Sequence, residues 1–382
     1  MLTASGDEIA SCLSHHDYSL AVRRMLDFSM DTGDEKLMYA SIAWSRTYRM
    51  HVKDGQQKAL PDSFFSTAEE LLAALERSGK SGVSGGFDLL HATGISKKYA
   101  KSNFSLQPVD LQLHTGDILG LVGENGNGKT TLLRCLSGQL AIDSGNIDYR
   151  LLQQPDYYSI RNHVVFIPQR IPKWYGKLKD NLHFSASLAG VSGSRNELMV
   201  DFMLERLNLS DYAHLTWNQI SSGYRTRFEI ARILLQKPRL LILDEPLANL
   251  DINAQQTILT DLRFIARSAH HPMGIILSSQ QLHEVEKVAA RVIFIKHGKC
   301  IFKAEEQQQE KLSYALEIET TASRDVIMAV LGDNGIEVQF NGGFYTIVSA
   351  TQTPQEIIAR LLQQQVKLDY FRDITYSTKR FF

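Results

Sequence analysis

A glycine-rich segment in the middle of the chain has the composition and spacing of a phosphate-binding loop. Residues 123–131 read GENGNGKTT. The run ILGLV before them predicts a strand, and TLLRCLSG, which overlaps their end, predicts a helix. A loop between such elements directs backbone N–H groups and a helix N-terminus at a phosphate chain. We expect Lys129 to bridge the terminal phosphates of a nucleotide and Thr130 to bind Mg²⁺.

Two adjacent carboxylates end a second apolar run. The segment LLILDE places Asp244 and Glu245 after a predicted buried strand. In phosphoryl transfer, an aspartate in this position helps to hold Mg²⁺, and the next carboxylate orients the attacking water. Paired acids after a strand are also common turn caps, so the pair alone fits both interpretations. Its position downstream of a phosphate loop, in the same predicted sheet, favours catalysis.

A serine–glycine loop lies between the phosphate loop and the acidic strand. Residues 220–239 read ISSGYRTRFEIARILLQKPR and run directly into LLILDEPLANLD. At this point the chain resembles the ATP-binding cassette of ABC proteins, and the resemblance covers residues 91–303. It implies an α/β phosphate-loop ATPase fold of ABC type, with a mixed sheet core and a helical subdomain at about residues 170–235. It also implies ATP and Mg²⁺ as ligands.

The resemblance assigns nucleotide and metal contacts to individual residues. Tyr99 occupies the position of an aromatic side chain that stacks on adenine. Gln169, in FIPQR, matches a glutamine that senses Mg²⁺ and contacts the transporter. Either residue would also fit an ordinary surface position. The loop residues assigned to ATP are Gly123, Asn125, Gly126, Asn127, Gly128, Lys129, Thr130 and Thr131, and those assigned to the metal are Thr130, Gln169 and Asp244.

Two further loops match the parts of the family that act across a dimer. Ser221, Ser222 and Gly223 match the signature loop, which presents a hydroxyl and helix N-terminal amides to the γ-phosphate held by the opposite protomer. The same serines would also suit a plain helix cap. Asp251, in LANLD, matches the D-loop that links the two sites. The resemblance therefore implies a homodimer or pseudo-dimer of cassettes.

Three positions depart from the family pattern. Ser222 replaces the usual first glycine of the signature and Tyr224 replaces its usual glutamine, so we expect a less close approach to nucleotide and weaker dimer closure. Gln280, in SSQQL, stands where the family has a histidine. It can donate a hydrogen bond to the γ-phosphate but cannot become a cation. With Glu245, Lys129 and Gln280 as the catalytic set, hydrolysis is expected to be slowed but present.

The remaining sequence predicts the domains that carry these residues. Residues 1–80 have apolar residues at helical spacing, which predicts an all-α domain, and residues 81–90 form a glycine–serine linker. Within 91–303, apolar runs such as HVVFIP and GIILSS alternate with helices, as in a parallel sheet covered by helices. Residues 312–382 follow the strand and helix order of a small α+β domain of split βαβ type.

Composition limits the classes of partner and compartment. Lysine and arginine number 41 against 42 acids, so no overall field recruits nucleic acid, and none is expected as a partner. The three cysteines lack zinc or dithiol spacing, which fits a reducing cytosol. The longest apolar runs are strand-sized, far below the roughly 20 residues that span a bilayer. A membrane role would therefore require another polypeptide.

These observations lead to one main hypothesis and two alternatives. The chain is expected to dimerise around two Mg-ATP molecules and to drive a separate integral membrane permease from the cytoplasmic face of the cell membrane. A single cassette followed by a small domain favours export. One alternative is an ABC ATPase acting on ribosomes or DNA, whose members usually have paired cassettes or coiled-coil insertions and basic surfaces. The other is a nucleotide-gated scaffold with weak hydrolysis, whose N-terminal helices recruit a protein.

Overall fold

The fold is described from a computed structural model. It covers residues 6–52, 60–78, 86–100, 104–248, 250–268, 271–303, 314–332 and 335–375. The chain divides into two compact units, with the boundary between Ile301 and Phe302. Residues 81–85 of the predicted linker lie outside the described residues, and the first strand begins at Asp88. No helix in these ranges has both the length and the apolarity that crossing a bilayer requires.

In the described part of the predicted all-α N-terminal region, the helices are α1 (Gly6–Ser14), α2 (Tyr18–Thr32), α3 (Glu35–His51) and α4 (Asp62–Ser78). Their ends follow local signals in the sequence. Asp17 caps α2, because its carboxylate accepts from the backbone N–H of Leu20. Gly33 ends α2 in the left-handed region at φ 68°, and Asp34 caps α3. The chain therefore turns between α2 and α3 at Gly33 and Asp34.

The cassette contains two sheets and seven helices in the described residues. The strands are β1 (Asp88–Lys98), β2 (Ser105–His114), β3 (Ile118–Val122), β4 (Ser144–Asp148), β5 (Val164–Ile167), β6 (Leu240–Leu243), β7 (Gly274–Ser279), β8 (Arg291–Lys296) and β9 (Lys299–Lys303). The helices are α5 (Lys129–Leu136), α6 (Tyr157–His163), α7 (Leu178–Leu188), α8 (Gly193–Arg206), α9 (Ser222–Leu234), α10 (Ile252–Ala266) and α11 (Leu282–Val285).

The larger sheet brings the predicted chemical residues to one edge. Its strand order is β5-β6-β7-β3-β8-β9, and the pairs from β5 to β8 are parallel. Strands β3, β6 and β7 are buried along their whole length, as their continuous apolar sequences predicted. Their carboxyl ends lead to the phosphate loop, to Asp244 and to Gln280 respectively. A second, antiparallel sheet has the order β2-β1-β4.

The N-terminal helices share a hydrophobic core with the cassette. Trp44 stacks on Phe64 with ring centroids 4.6 Å apart, and its indole N–H donates to the Phe64 carbonyl oxygen. Leu198 and Phe202, from α8 of the helical subdomain, belong to the same buried cluster. The N-terminal region is therefore packed onto the helical subdomain through apolar side chains.

This shared core predicts a stability effect for Phe202→Ala. The Phe202 side chain is fully buried, so its truncation is expected to lower the free energy of unfolding by about 3–5 kcal/mol. Urea unfolding followed by circular dichroism measures this. Leu188→Ala, at a largely exposed position of α7, is the control and is expected to change stability by less than about 0.5 kcal/mol. Equal stabilities of the two variants would contradict the shared core.

The second unit has the predicted α+β order. Its elements are β10 (Tyr314–Glu319), α12 (Arg324–Leu331), β11 (Ile336–Asn341), β12 (Phe344–Ser349), α13 (Pro354–Gln363) and β13 (Tyr370–Asp373). The sheet order is β11-β12-β10-β13, and every neighbouring pair is antiparallel. Leu316, Ile347 and Leu361 are among the side chains of its buried core. This is the split βαβ arrangement that the sequence predicted.

Candidate nucleotide-binding site

The phosphate loop connects β3 to α5 and depends on glycine at two positions. A Cβ on Gly123 would lie 2.3 Å from the backbone oxygen of Ile295, so no side chain fits there. Gly128, which precedes α5, has φ 108° and would place a Cβ 2.6 Å from the ring of Phe104. Between them, Asn125 and Gly126 are exposed. The open side of the loop therefore includes the residues between these two constrained glycines.

Asn127 anchors this loop to the turn between β8 and β9. Its side-chain Oδ1 accepts from the backbone N–H of His297 at 3.0 Å, and its carbonyl oxygen accepts from the N–H of Gly298 at 3.0 Å. The residue is buried. The Asn127 side chain is therefore engaged with the protein, and the role of the residue as an ATP ligand stays a prediction.

Lys129 lies at the centre of the site. Its ammonium donates to the carbonyl oxygen of Gly123 at 2.6 Å and to that of Glu124 at 3.3 Å. The same Nζ is 3.0 Å from Oε1 of Glu245. Both side chains of the ion pair are buried, with exposed fractions of 4% and 8%. The predicted phosphate-binding cation and the predicted catalytic carboxylate are therefore in direct contact.

The other oxygen of Glu245 is held by two glutamines. The side-chain amides of Gln169 and Gln280 each donate to Oε2 of Glu245, both at 2.8 Å. Glu245 has a positive φ of 47°, and its backbone N–H donates to the hydroxyl of Ser278 at 2.9 Å. Four residues singled out from the sequence thus meet at one carboxylate, although they come from four separate segments of the chain.

Asp244 lies beside this cluster and is held by two hydroxyl groups. Thr130 donates to its Oδ2 at 2.7 Å, and Ser278 donates to its Oδ1 at 2.8 Å. Ser278 is fully buried and was missed by the sequence analysis; its only signal was the serine pair at the end of GIILSS. Hydroxyl and carboxylate oxygens are suitable ligands for Mg²⁺, which also keeps water and substrate phosphate in its coordination shell. The residues therefore fit this metal.

Tyr99 lies next to the start of α5. Its hydroxyl is 3.2 Å from Oγ1 of Thr131, and its ring centroid is 6.3 Å from that of Phe104. The residue is partly buried. This places an aromatic ring close to the phosphate loop, and its stacking on adenine stays a prediction.

The signature loop and the D-loop form a second cluster. Ser221 caps α9, since its hydroxyl accepts from the N–H of Tyr224, and Asp251 caps α10 through the N–H of Ala254. A Cβ on the buried Gly223 would lie 3.6 Å from the Cβ of Ala254. The two loops therefore touch within one protomer, and both begin helices whose N-terminal amides are directed outward.

Tyr224, which departs from the family pattern, packs against Tyr212. Their ring centroids are 3.9 Å apart, and the guanidinium of Arg227 lies 5.6 Å from the Tyr224 ring centroid. Burial, together with hydrogen bonding to Tyr212, raises the pKa of Tyr224 to about 12. The phenol is therefore neutral at physiological pH and adds no charge next to the signature serines.

Comparison with known proteins identifies the family. A family model described as ABC transporter matches residues 106–248, and these include the phosphate loop, the signature loop and Asp244. The chain is 30% identical over 236 residues to an uncharacterised ABC transporter ATP-binding protein, YxlF of Bacillus subtilis, covering 60% of this chain and 77% of the relative. It is also 30% identical over 238 residues to the phosphonates import ATP-binding protein PhnC of Bdellovibrio bacteriovorus, covering 58% and 89%.

A solved structure agrees with this fold. It is a dimeric ATP-binding cassette bound to ADP and phosphate, with a TM-score of 0.50 at 18% identity, covering 56% of this chain and 97% of the other. At this identity the likeness supports the fold alone. The sequence relatives, at 30% identity over most of their length, show the family as well as the fold. The chain belongs to the ABC transporter family as an ATP-binding subunit.

Proposed function

We propose that the chain binds and hydrolyses Mg-ATP in a dimer of two cassettes and thereby drives a separate membrane permease. The observation that carries the proposal is the meeting of Lys129, Gln169 and Gln280 at the Glu245 carboxylate, beside the hydrogen-bonded pair of Thr130 and Asp244. A cation, a carboxylate and neutral hydrogen-bond donors are the groups that in-line phosphoryl transfer to water requires.

Each residue has a distinct role in the proposed reaction. The Lys129 ammonium exchanges Glu245 for phosphate oxygens, which releases the carboxylate to orient water and to accept its proton. The water oxygen forms a bond to the γ-phosphorus as the bond to the ADP oxygen breaks. Gln280 donates a hydrogen bond to the γ-phosphate. Thr130 and Asp244 would hold Mg²⁺, which neutralises charge on the phosphates.

The exposed D-loop surface supports a dimer. Ser221 and Ser222 are exposed at the N-terminus of α9, which suits an anion supplied from outside the protomer. Ile252, directly after Asp251, is 70% exposed although it is a large apolar residue. A second cassette bound at this surface would bury the Ile252 side chain and would also bring an anion to the N-terminal amides of α9. We therefore favour a second cassette as the partner at this surface. Each γ-phosphate would then contact one phosphate loop and the opposite signature loop.

A second exposed surface supports a permease partner. Exposed apolar and aromatic side chains lie on the segments that flank Gln169; they are Tyr158, Tyr175, Phe184 and Leu188, each at least 66% exposed. We call these four residues the aromatic surface. Large apolar side chains that stay exposed are typical of protein-binding surfaces. Because Gln169 contacts Glu245, a permease segment that also reached Gln169 would be linked to the proposed catalytic carboxylate.

Membrane association tests this partner. With the co-encoded permease expressed, the chain is expected to sediment with membranes, and without it the chain is expected to stay in the supernatant. Tyr158→Ser with Tyr175→Ser should lose the association, whereas Tyr39→Ser, at a half-exposed position of α3, should retain it. A pool bound to ribosomes in place of membranes would overturn the permease proposal.

The direction of transport is proposed as export, because a small domain follows the single cassette. The relative PhnC is named as an import protein, which favours the opposite direction. Uptake and efflux assays separate the two directions.

Gln280 predicts a pH-dependent gain of function. In Gln280→His, a protonated imidazole would donate a charge-assisted hydrogen bond, which is stronger than the amide bond by about 1 kcal/mol. ATP turnover is therefore expected to rise by roughly fivefold, with the gain largest below the unperturbed histidine pKa of about 6.5. A pH profile of phosphate release measures this, with Gln281→His at the exposed neighbour as control.

The same profile tests the alternative of a nucleotide-gated scaffold. That alternative is favoured by one observation, the neutral amide at position 280. If the parent and Gln280→His both bind ATP but release no phosphate, even with the permease present, the scaffold replaces the motor.

A further inference from the structure

Helix α2 of the N-terminal region makes ionic contacts with two different parts of the cassette. Asp27 accepts a hydrogen bond from Nε of Arg206, at the end of α8, at 2.5 Å. One helical turn earlier on α2, Arg23 forms an ion pair with Asp261 of α10. These two pairs link the helical subdomain to the helix that follows the D-loop.

Further contacts strengthen the link on the α10 side. The hydroxyl of Ser268, just after α10, donates to Oδ1 of Asp31 at 2.7 Å. The guanidinium of Arg24 lies over the ring of Phe264. Helix α2 therefore contacts α10 and the residues just after it at three places, from Arg23 to Asp31.

Most charged groups of these contacts are buried, and the Arg23 side chain is 20% exposed. The side chains of Arg206 and Asp261 are each 7% exposed, and that of Asp27 is 12% exposed. A buried ion pair tolerates the loss of one partner poorly, because the remaining charge lacks both water and a counter-ion. The pairs are therefore held in one geometry, unlike exposed pairs that exchange freely with solvent.

The linked helices carry the two loops that face the partner cassette. Helix α9 begins at the signature loop and α10 begins at the D-loop, and these starts touch where Gly223 approaches Ala254. Helix α8 packs on α7, and α7 packs on α9. The signature loop and the D-loop are therefore connected in two ways. They are in direct contact where α9 and α10 begin, and they are connected indirectly through α7, α8 and α2, which contacts α10.

We propose that the N-terminal helices position the signature loop relative to the D-loop and so set the surface that closes on the partner's nucleotide. This inference rests on the proposed dimer function. Arg23, Asp27, Arg206 and Asp261, which we call the brace, are positioning residues, since none of them is part of the nucleotide cluster. The sequence predicted helices here but no connection to catalysis.

Charge reversal tests the brace in the full-length chain. Arg23→Asp and Asp261→Arg are each expected to weaken ATP-dependent dimerisation about tenfold, and the double reversal is expected to restore it. ATP affinity of the separate protomer should change less than about twofold, because the phosphate loop is untouched. Arg77→Asp is the matched control: it makes the same charge change at an exposed position of α4, where the guanidinium donates to the Ala73 carbonyl oxygen of its own helix.

Amide hydrogen exchange separates failure of the brace from failure of the proposed function. In Arg23→Asp, exchange at residues 221–224 should accelerate while exchange at residues 123–131 stays at the parent level, whether or not the parent dimerises. If the parent does not dimerise with ATP, the proposed function fails. The exchange rates alone then show whether the brace positions the signature loop. Unchanged exchange at the signature loop in Arg23→Asp would contradict the proposal that the brace positions this loop. If Arg23→Asp does not fold, Ser268→Ala, which removes the hydrogen bonds of the hydroxyl with Asp31 and with the His271 N–H, should accelerate the same amides to a smaller extent. Its failure to do so is equally decisive.

Discussion

A Glu245→Gln protein is expected to bind ATP, to remain as an ATP-bound dimer and to release phosphate about 10²–10⁴ times more slowly than the parent. The amide has nearly the shape of the carboxylate but cannot accept the proton of the attacking water. The substitution also removes the ion pair between Glu245 and Lys129, and this leaves the Lys129 ammonium available to bind phosphate. Steady-state phosphate release, together with ultracentrifugation in Mg-ATP, measures both effects.

The control for Glu245→Gln is Glu197→Gln, the same change at an exposed position of α8. Glu197→Gln should turn over ATP at the parent rate and should not accumulate as a dimer. Parent-like turnover by Glu245→Gln would mean that the cluster around this carboxylate is structural and that the catalytic base lies elsewhere.

Much of the nucleotide cluster could be predicted because its signals are local. The phosphate loop is nine consecutive residues between a strand and a helix, and the φ of 108° at Gly128 is a local reason for glycine there. The close approach of the Ile295 backbone oxygen to Gly123 is, by contrast, a tertiary contact. Asp244 and Glu245 follow a strand whose four residues are all buried, and a run of apolar residues is enough to predict such a strand.

The contacts between distant segments could not be predicted in this way. Asp27 and Arg206 are 179 positions apart, and no periodicity in either helix indicates that they meet. Ser278 fixes both Asp244 and the backbone of Glu245, yet a serine at a strand end has no distinctive sequence signal. Asn127 was assigned from its place in the loop, and only the fold reveals that the β8–β9 turn occupies its side chain. In each case the partner is selected by tertiary packing.

The N-terminal region illustrates the same limit at the level of a domain. Its helices were predicted from apolar spacing, as the structure confirms. Their apolar faces, however, are completed by Leu198 and Phe202 from the cassette. A helix pattern specifies which face is buried but not what covers it. The functional consequence of this region therefore depends on contacts that only the folded chain defines.

A Lys129→Ala protein is expected to lose nucleotide binding and also some stability. Loss of the charged hydrogen bonds to phosphate should weaken ATP affinity by about 100-fold, which corresponds to roughly 3 kcal/mol. The same change leaves the buried Glu245 without its cation, and this should lower the free energy of unfolding by about 1–3 kcal/mol in the absence of nucleotide. Equilibrium ATP binding and urea unfolding measure the two effects separately.

The double variant Lys129→Ala/Glu245→Gln distinguishes the two roles of the lysine. Without a carboxylate at position 245 there is no uncompensated buried charge, so the double variant should recover most of the stability that Lys129→Ala loses. It should not recover ATP affinity, because the phosphates still lack the ammonium. Recovery of both would mean that the lysine acts on nucleotide only by keeping the site folded. Recovery of stability alone would establish that the ammonium neutralises Glu245 without nucleotide and binds phosphate when nucleotide is present, and this exchange is the step that frees the catalytic carboxylate.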